Sequence, residues 1–117
     1  MNKIVNIIKP TGMTSHDVVS AVRKTLNIKK VGHTGTLDPD ASGVLPICIG
    51  KATKVSELIL NKDKSYICEL TLGITTDTYD SSGEIVERVE NVNFTNEEIE
   101  KSFDTQRGHL NQLTPMY

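Results

Sequence analysis

The first residues of the chain show one strand pattern followed by one helical pattern. Residues 4–9 are mostly apolar and stop at Pro10, which favours a short strand. Thr14 and Asp17 stand three residues apart, the spacing of a capping box at a helix start. The apolar residues that follow share one helical face: Val18, Ala21, Val22 and Leu26. The pattern therefore predicts a strand and then a helix over residues 15–26.

Residues 27–46 form the longest segment without a clear period. Glycines and prolines interrupt this segment at five positions. An irregular stretch of about 20 residues is unusual in a compact domain unless it has a function. After it, the apolar residues 47–49 predict a short buried strand, and residues 53–60 show a helical pattern.

The next segment has the pattern of a hairpin. Apolar and polar residues alternate over residues 66–72 and again over residues 84–90, which predicts two strands. The turn-forming stretch between them contains TTDTYDSSG. We therefore expect an antiparallel hairpin with a long loop.

A second capping-box pattern predicts the last helix. Thr95 and Glu98 have the required spacing, and the helix is expected to bury Ile99 and Phe103. No period follows Gly108. The pattern as a whole therefore predicts strands that alternate with helices, together with a hairpin.

Composition narrows the class of protein. The 117 residues are 37% hydrophobic and 24% charged, as expected for one globular domain. No apolar run approaches the roughly 20 residues of a membrane-spanning helix, and no signal peptide is predicted. The two cysteines, Cys48 and Cys68, form no CxxC pair, so no zinc pattern is present. We expect a reduced, cytoplasmic protein without a bound metal.

Charge is distributed unevenly along the chain. Residues 1–64 contain ten Lys and Arg against five Asp and Glu, a net charge of +5. Residues 65–117 contain three against ten, a net charge of −7. A basic first half can face a polyanion such as RNA. Two ordinary solvated surfaces are the alternative interpretation.

The irregular loop contains the strongest candidates for catalysis or ligand binding. Gly32 and Gly35 permit tight backbone geometry, and Pro39 biases Asp38 away from helical conformation. A carboxylate on such a loop can act as a base, a nucleophile or a metal ligand. Asp40 is close, but two acids without a histidine make a poor ligand set. The glycines match neither common phosphate-binding pattern, and a purely structural loop is the other alternative.

Four segments resemble, in order, the motifs of the TruB family of pseudouridine synthases. The loop sequence GHTGTLDPDASGVLPI is similar to the family signature, and KPTGMTS is similar to its first motif. KSYICELTLGITTDTYDSSG resembles the segment with the family's active-site tyrosine, and RGHLNQLTPMY resembles a G-x-x-x-Q-x-P-P-x-Y segment. Two departures are visible: Thr114 replaces the first proline, and Gln106 replaces a common aromatic residue.

The resemblance implies a fold and an activity. The implied fold is the pseudouridine synthase fold, an α/β (α+β) arrangement with a mixed, mostly antiparallel sheet and flanking helices. Residues 1–117 would be the N-terminal half of its catalytic domain, without the later half and the C-terminal RNA-binding domain. The implied activity isomerises uridine to pseudouridine at position 55, in the T loop of tRNA. It uses base flipping and no cofactor or metal, and the full-length form is expected to be a monomer.

The resemblance also assigns roles to residues. Asp38 is the catalytic residue, with loop capping as its alternative. Tyr66 would stack on the flipped base, or be a plain core residue. His33 would hold the RNA loop, or be structural, and Lys9 would contact phosphate or stabilise its own loop. The remaining candidates for RNA contact lie in the signature loop: Gly32, Thr34 and Thr36.

Two other functions remain open. The chain could be a non-catalytic module that binds structured RNA, because the family's later half supplies an arginine partner for the catalytic aspartate. It could also be a relative of the guide-RNA-dependent synthases, which have the same aspartate loop. Retained RNA affinity without turnover would indicate the first, and dependence on a guide RNA would indicate the second.

Overall fold

The computed structural model describes residues 1–115, in which the chain divides into two compact units. The first unit is Met1–Ser65, and the second begins at Tyr66. The strands and α-helices are, in chain order, β1 (Lys3–Lys9), α1 (Ser15–Leu26), β2 (Val31–His33), β3 (Gly43–Ile49), α2 (Ser56–Leu60), β4 (Ile74–Thr76), β5 (Ile85–Arg88) and α3 (Asn96–Thr105). The predicted α/β class is confirmed, and both sheets are antiparallel.

The first unit contains a three-stranded sheet in the order β1-β3-β2. The central strand β3 pairs antiparallel with both neighbours, so that Ile49 lies opposite Lys3 on one side and Val31 on the other. Gly43 at the start of β3 lies opposite Lys9 at the end of β1. The end of the loop that contains Asp38 and the start of the first motif, at Lys9, are therefore held side by side.

The core of the first unit lies between α1 and one face of this sheet. Its buried residues are Val18, Val19, Val31, Leu45, Ile47 and Ile49. The bounds predicted for α1 are confirmed, but only part of the shared apolar face is covered, because Ala21 and Leu26 are exposed. Each step of four residues advances about 40° around a helix, so Leu26 has rotated away from the sheet that buries Val18. The buried stripe instead includes Ser15 and Val19.

Two elements begin earlier than the hydrophobic pattern indicated. The segment 27–46, predicted as one irregular loop, contains β2 and the first residues of β3. Both strand segments are short and contain glycine or proline, so backbone pairing with β3 defines them rather than side-chain alternation. The helical segment predicted over residues 53–60 begins as a 3₁₀ helix, Gly50–Val55, and continues as α2.

The second unit contains the hairpin, but with a different first strand. β4 pairs antiparallel with β5, with an irregularity between Thr75 and Thr76. The strand predicted over residues 66–72 is wrong, because no strand forms there and Ile67 is fully exposed. Backbone groups in a strand need hydrogen-bond partners, and no other described strand pairs with this segment. Alternation alone therefore did not create a strand.

The last helix begins where the capping box predicted. The Thr95 side chain accepts a hydrogen bond from the N–H of Glu98, and the Glu98 carboxylate accepts one from the N–H of Thr95. The predicted burial is wrong for Phe103, which is 52% exposed, whereas Ile99 is half-buried. The chain after Thr105 has no regular structure as far as it is described.

Two further observations concern the extent of the described chain and its helices. Met116 and Tyr117, which end the segment RGHLNQLTPMY, lie outside the described residues. In the part of the chain that is described, no helix is long and apolar enough to cross a membrane.

Candidate active site

Asp38 lies at the surface, in the loop that joins β2 to β3. Its carbonyl accepts a hydrogen bond of 3.0 Å from the N–H of Ala41, which closes a turn with Pro39 in the second position. Proline is favoured at that position of common turns, and aspartate is favoured at the first. The Asp38 side chain is exposed, and it forms no ion pair with any of residues 1–115. The turn therefore presents a free carboxylate to a ligand.

Ser15, the first residue of α1, holds the residue before Asp38. The Ser15 hydroxyl donates to the carbonyl of Leu37 at 3.1 Å, and its oxygen accepts from the N–H of Leu37 at 2.9 Å. Ser15 is only 2% exposed. Leu37 packs against the core of the first unit. The chain therefore passes from a half-buried, doubly bonded residue directly to the exposed Asp38.

Lys9 holds the residue after Asp38, from the interior of the protein. The Lys9 side chain is fully buried, and its ammonium group donates to three backbone carbonyls. The acceptors are Met13 at 2.7 Å, Pro10 at 2.9 Å and Pro39 at 3.3 Å. All three N–H bonds of the ammonium are used, so this geometry favours the loop-stabilising role over phosphate contact.

Thr34 and His33 lie where the loop leaves β2. Thr34 is buried, and both its N–H (3.1 Å) and its hydroxyl (3.2 Å) donate to the carbonyl of Pro46. This pair of bonds fixes the loop start against β3 and gives Thr34 a structural role. His33 is different, because its Nδ1 atom is buried and has no hydrogen-bond partner among the described residues. Such an orphaned buried atom is uncommon in native structures.

The other loop candidates have less distinctive environments. Gly32 lies within β2 opposite Cys48, and a side chain there would meet only an ordinary contact with Thr53. Thr36 is exposed on the same loop as Asp38. Gly35 has a φ of +148°, and a Cβ atom there would lie 3.4 Å from Cε of the Lys64 side chain. Glycine is therefore favoured at this bend for a conformational reason, its positive φ, whereas the contact with the flexible Lys64 side chain could be relieved.

Tyr66 is the first residue of the second unit, and its side chain is 65% exposed. It lies in a stretch without regular structure, outside both sheets. The alternative role of a plain core residue is therefore not what the structure shows. An exposed aromatic ring is suited to stacking on a base.

The turn in the second hairpin is held by its own acidic residues. The Asp80 carboxylate accepts hydrogen bonds from the Thr78 hydroxyl at 2.8 Å and from the N–H of Ser82 at 2.9 Å. The Ser82 hydroxyl also donates to this carboxylate, and its bond, followed by those from Thr78 and the Ser82 N–H, lowers the pKa of Asp80. Asp77 accepts a bond from the N–H of Glu84 at 2.9 Å. Both aspartates therefore build the turn, as their sequence context predicts.

A basic groove lies at the C-terminal end of α1. Its lining residues are Ser20, Arg23, Lys24, Asn27, Ile28 and Lys29. The Arg23 guanidinium donates to the carbonyl of Val31 at 2.9 Å, which fixes one cation of the groove. No acidic residue occurs between Asp17 and Asp38, so the positive charge of this segment is not compensated along the chain. The change from basic to acidic composition falls at the boundary between the two units.

The described residues contain no group of three His, Cys, Asp or Glu that could hold a metal ion. Burial raises the pKa of the Cys48 thiol, which disfavours the thiolate form that metals bind.

Comparison with known proteins identifies the family. A family model described as "TruB family pseudouridylate synthase (N terminal domain)" matches residues 23–117. The chain belongs to the TruB family. It is 80% identical over 117 residues to tRNA pseudouridine synthase B of Clostridioides difficile strain 630 and 59% identical to that of Alkaliphilus oremlandii strain OhILAs. In both cases all of this chain aligns with 39% of the relative, so it spans about two-fifths of their length.

Solved structures show a more partial similarity. A chain in the structure of an H/ACA RNP bound to a substrate RNA containing 2'-deoxyuridine is 53% identical, with a TM-score of 0.46. The match covers 47% of this TruB-family chain and 17% of that chain. A chain of a Cbf5-Nop10-Gar1 complex gives 54% identity and a TM-score of 0.45 over 46% of this chain.

Sequence reasoning missed the contact that Ser15 makes with Leu37. One signal was available: Ser15 stands three and four residues before Val18 and Val19, on the apolar stripe of α1. A small polar residue on a core-facing stripe needs a hydrogen-bond partner. The identity of that partner, 22 residues away, does not follow from the local pattern.

Proposed function

We propose that this chain forms part of a tRNA pseudouridine synthase that isomerises uridine 55 in the T loop, with Asp38 as its catalytic residue. Membership of the TruB family and the names of its curated relatives support the reaction class. The observation that carries the assignment is the geometry of Asp38, an exposed carboxylate on a turn whose two flanking residues are anchored.

The reaction breaks the bond from N1 of uracil to C1' of the ribose and forms a bond from C5 to C1'. The base must turn between these steps, C5 loses its hydrogen to solvent, and N1 gains a proton. Asp38 either attacks the sugar or removes a proton from it, and both roles need an ionised and accessible carboxylate. The exposed Asp38 turn meets that need.

The target base must leave the T loop to reach Asp38. Enzymes that act on a base take it out of the stack, at an energy of a few kcal/mol. His33, a half-buried residue at the end of β2, would help to hold the RNA loop where the base leaves the stack. Tyr66, with its exposed ring, offers a stacking surface to the flipped uracil.

A tRNA is the proposed partner, and the cytoplasm is the proposed location. The first unit has a net charge of +5, and Lys9, one of its cations, is buried. The cations of the groove at the end of α1 lie at the surface of the same unit as Asp38. They would contribute the salt-dependent part of RNA affinity.

The test is release of tritium from C5 of the target uridine in a T-arm stem-loop. The proteins compared are this chain and an extended chain, in which residues 1–117 continue into the remainder of the Clostridioides difficile relative. Asp38→Ala is made in the extended chain, and Asp40→Ala, an exposed carboxylate in the same turn, is its matched control. We expect Asp38→Ala to reduce release at least about a hundredfold, and Asp40→Ala to change it less than about threefold.

The outcomes separate the candidate functions. No release from the extended chain, or release that survives Asp38→Ala, would contradict the proposal. Release from the extended chain only, with RNA still bound by the 117-residue chain, would assign binding alone to this segment. That second function is considered because the chain covers 39% of its relatives. Release only in the presence of a guide RNA would instead indicate the guide-dependent class.

A further inference from the structure

The Ser15 hydroxyl forms hydrogen bonds with both backbone polar groups of Leu37. It accepts the Leu37 N–H at 2.9 Å and donates to the Leu37 carbonyl at 3.1 Å. A hydroxyl can do both because a single oxygen is donor and acceptor. Ser15 is 2% exposed, so water does not compete for these bonds.

The restraint on Leu37 is transmitted directly to Asp38. The Leu37 carbonyl belongs to the peptide group that joins it to Asp38, so the Ser15 bond fixes the orientation of that peptide. On the other side, the Pro39 carbonyl accepts the N–H of Gly12 at 2.8 Å. The Asp38 carboxylate is exposed, and within residues 1–115 it forms no ion pair that would orient it. Its position is therefore set through the backbone.

We infer that Ser15 is a positioning residue for Asp38, an inference that rests on the function proposed above. Ser15 acts through Leu37 and does not itself reach the reacting atoms. A displacement of about 1 Å in a catalytic group can reduce a rate about a hundredfold. Loss of the hydroxyl removes both bonds, so the Leu37–Asp38 peptide is restrained less, by core packing of Leu37 and by the bonds of the turn alone.

A purely structural role for Ser15 makes a different prediction. A structural serine would affect the folded fraction and the stability, and each folded molecule would keep its turnover rate. A positioning serine affects the rate at saturating RNA and leaves the Michaelis constant nearly unchanged. The split between kcat and KM therefore distinguishes the two roles.

The experiment uses the extended chain with Ser15→Ala and, as its control, Ser56→Ala. Ser56 is also the first residue of a helix, and its hydroxyl also donates to a backbone carbonyl, that of Thr53 at 2.9 Å. Ser15→Cys is the second variant, because a thiol keeps nearly the same shape but bonds weakly. Tritium release gives kcat and KM, and circular dichroism gives the folded fraction at the assay temperature.

We expect Ser15→Ala to lower kcat about tenfold to a hundredfold with KM within about threefold of the wild type. Ser56→Ala should leave both constants within about threefold, and Ser15→Cys should lie between Ser15→Ala and the wild type. If Ser15→Ala does not fold, a folded Ser15→Cys variant with reduced kcat supports the inference. A folded Ser15 variant with wild-type kcat overturns it.

The same assay separates this inference from the proposed function. Loss of release in Asp38→Ala together with normal release in Ser15→Ala would overturn only the role of Ser15. Release that survives Asp38→Ala would overturn the proposed function, and the inference with it.

Discussion

Lys9 is a buried cation that is held by backbone carbonyls, and its replacement by methionine tests this arrangement. Methionine fills a similar volume but donates no hydrogen bonds. The Pro39 carbonyl keeps its bond from the Gly12 N–H, whereas the carbonyls of Pro10 and Met13 lose the ammonium. An unsatisfied buried acceptor costs about 1–3 kcal/mol, but Pro10 is exposed and Met13 is half-buried, so water and the removal of a buried charge offset part of this cost. We expect Lys9→Met to destabilise the protein by about 2–4 kcal/mol.

The measurement is the thermal midpoint of the extended chain, followed by circular dichroism. A loss of about 2–4 kcal/mol in the free energy of unfolding corresponds to a decrease of roughly 4–16 °C in the thermal midpoint of a protein of about 150–250 residues or slightly more. Lys3→Met is the matched control, because Lys3 is exposed and lies on the same side of β1 as Lys9. Surface substitutions of this kind usually change stability by less than about 0.5 kcal/mol.

The reasoning is refuted if the two variants have the same midpoint. Equal stability would mean that the carbonyl of Met13, at 2.7 Å from the Lys9 ammonium, does not depend on that bond. A large decrease for Lys9→Met alone would instead establish that the ammonium organises the loop from within. Lys9 would then be excluded as a phosphate contact, since a residue cannot be fully buried and also bind RNA from solvent.

Two further predictions concern the capping box and the basic groove. Hydrogen bonds from Thr14 hold the pKa of Asp17 below its usual 3.8, so the ionised form stabilises the folded state. The stabilisation is present in full above pH 3.8 and is lost as the pH falls through the folded-state pKa. The decrease in thermal midpoint caused by Asp17→Ala should therefore be clear at pH 7 and smaller at pH 3, and an equal decrease at both would contradict this origin. In the groove, Lys24→Gln with Lys29→Gln should raise KM for RNA without changing kcat and reduce the salt slope by about one per lost phosphate contact. Lys101→Gln, in the acidic unit, is the control, and equal effects of both would contradict a role of the groove.

The elements that could be predicted from the sequence are those set by local contacts. Thr14 and Thr95 form capping boxes with residues three positions away, and both helices begin where these residues predict. Strands depend on partners that are distant in the chain. Residues 66–72 alternate clearly yet form no strand, whereas Val31–His33 pairs with β3 despite a weak pattern.

The candidate site was predictable in the same way, in its local features but not in its distant contacts. The resemblance identified the loop, and the structure presents Asp38 at its surface in a turn that Pro39 favours. The sequence left two roles open for Lys9 and gave none for Ser15, because their roles depend on contacts with residues 30 and 22 positions away. A pattern at one position does not reveal a hydrogen-bond partner at that separation.

These contacts make the first motif and the signature loop one physical unit. Lys9, Gly12 and Ser15 supply the bonds to Leu37 and Pro39, on both sides of Asp38. The loop has little regular structure of its own, so its rigidity depends on the segment that surrounds Pro10. A substitution in either segment should therefore change the effect of a substitution in the other. We therefore expect the effects of Ser15→Ala and Lys9→Met on kcat, expressed as free energies, to be non-additive in the double variant.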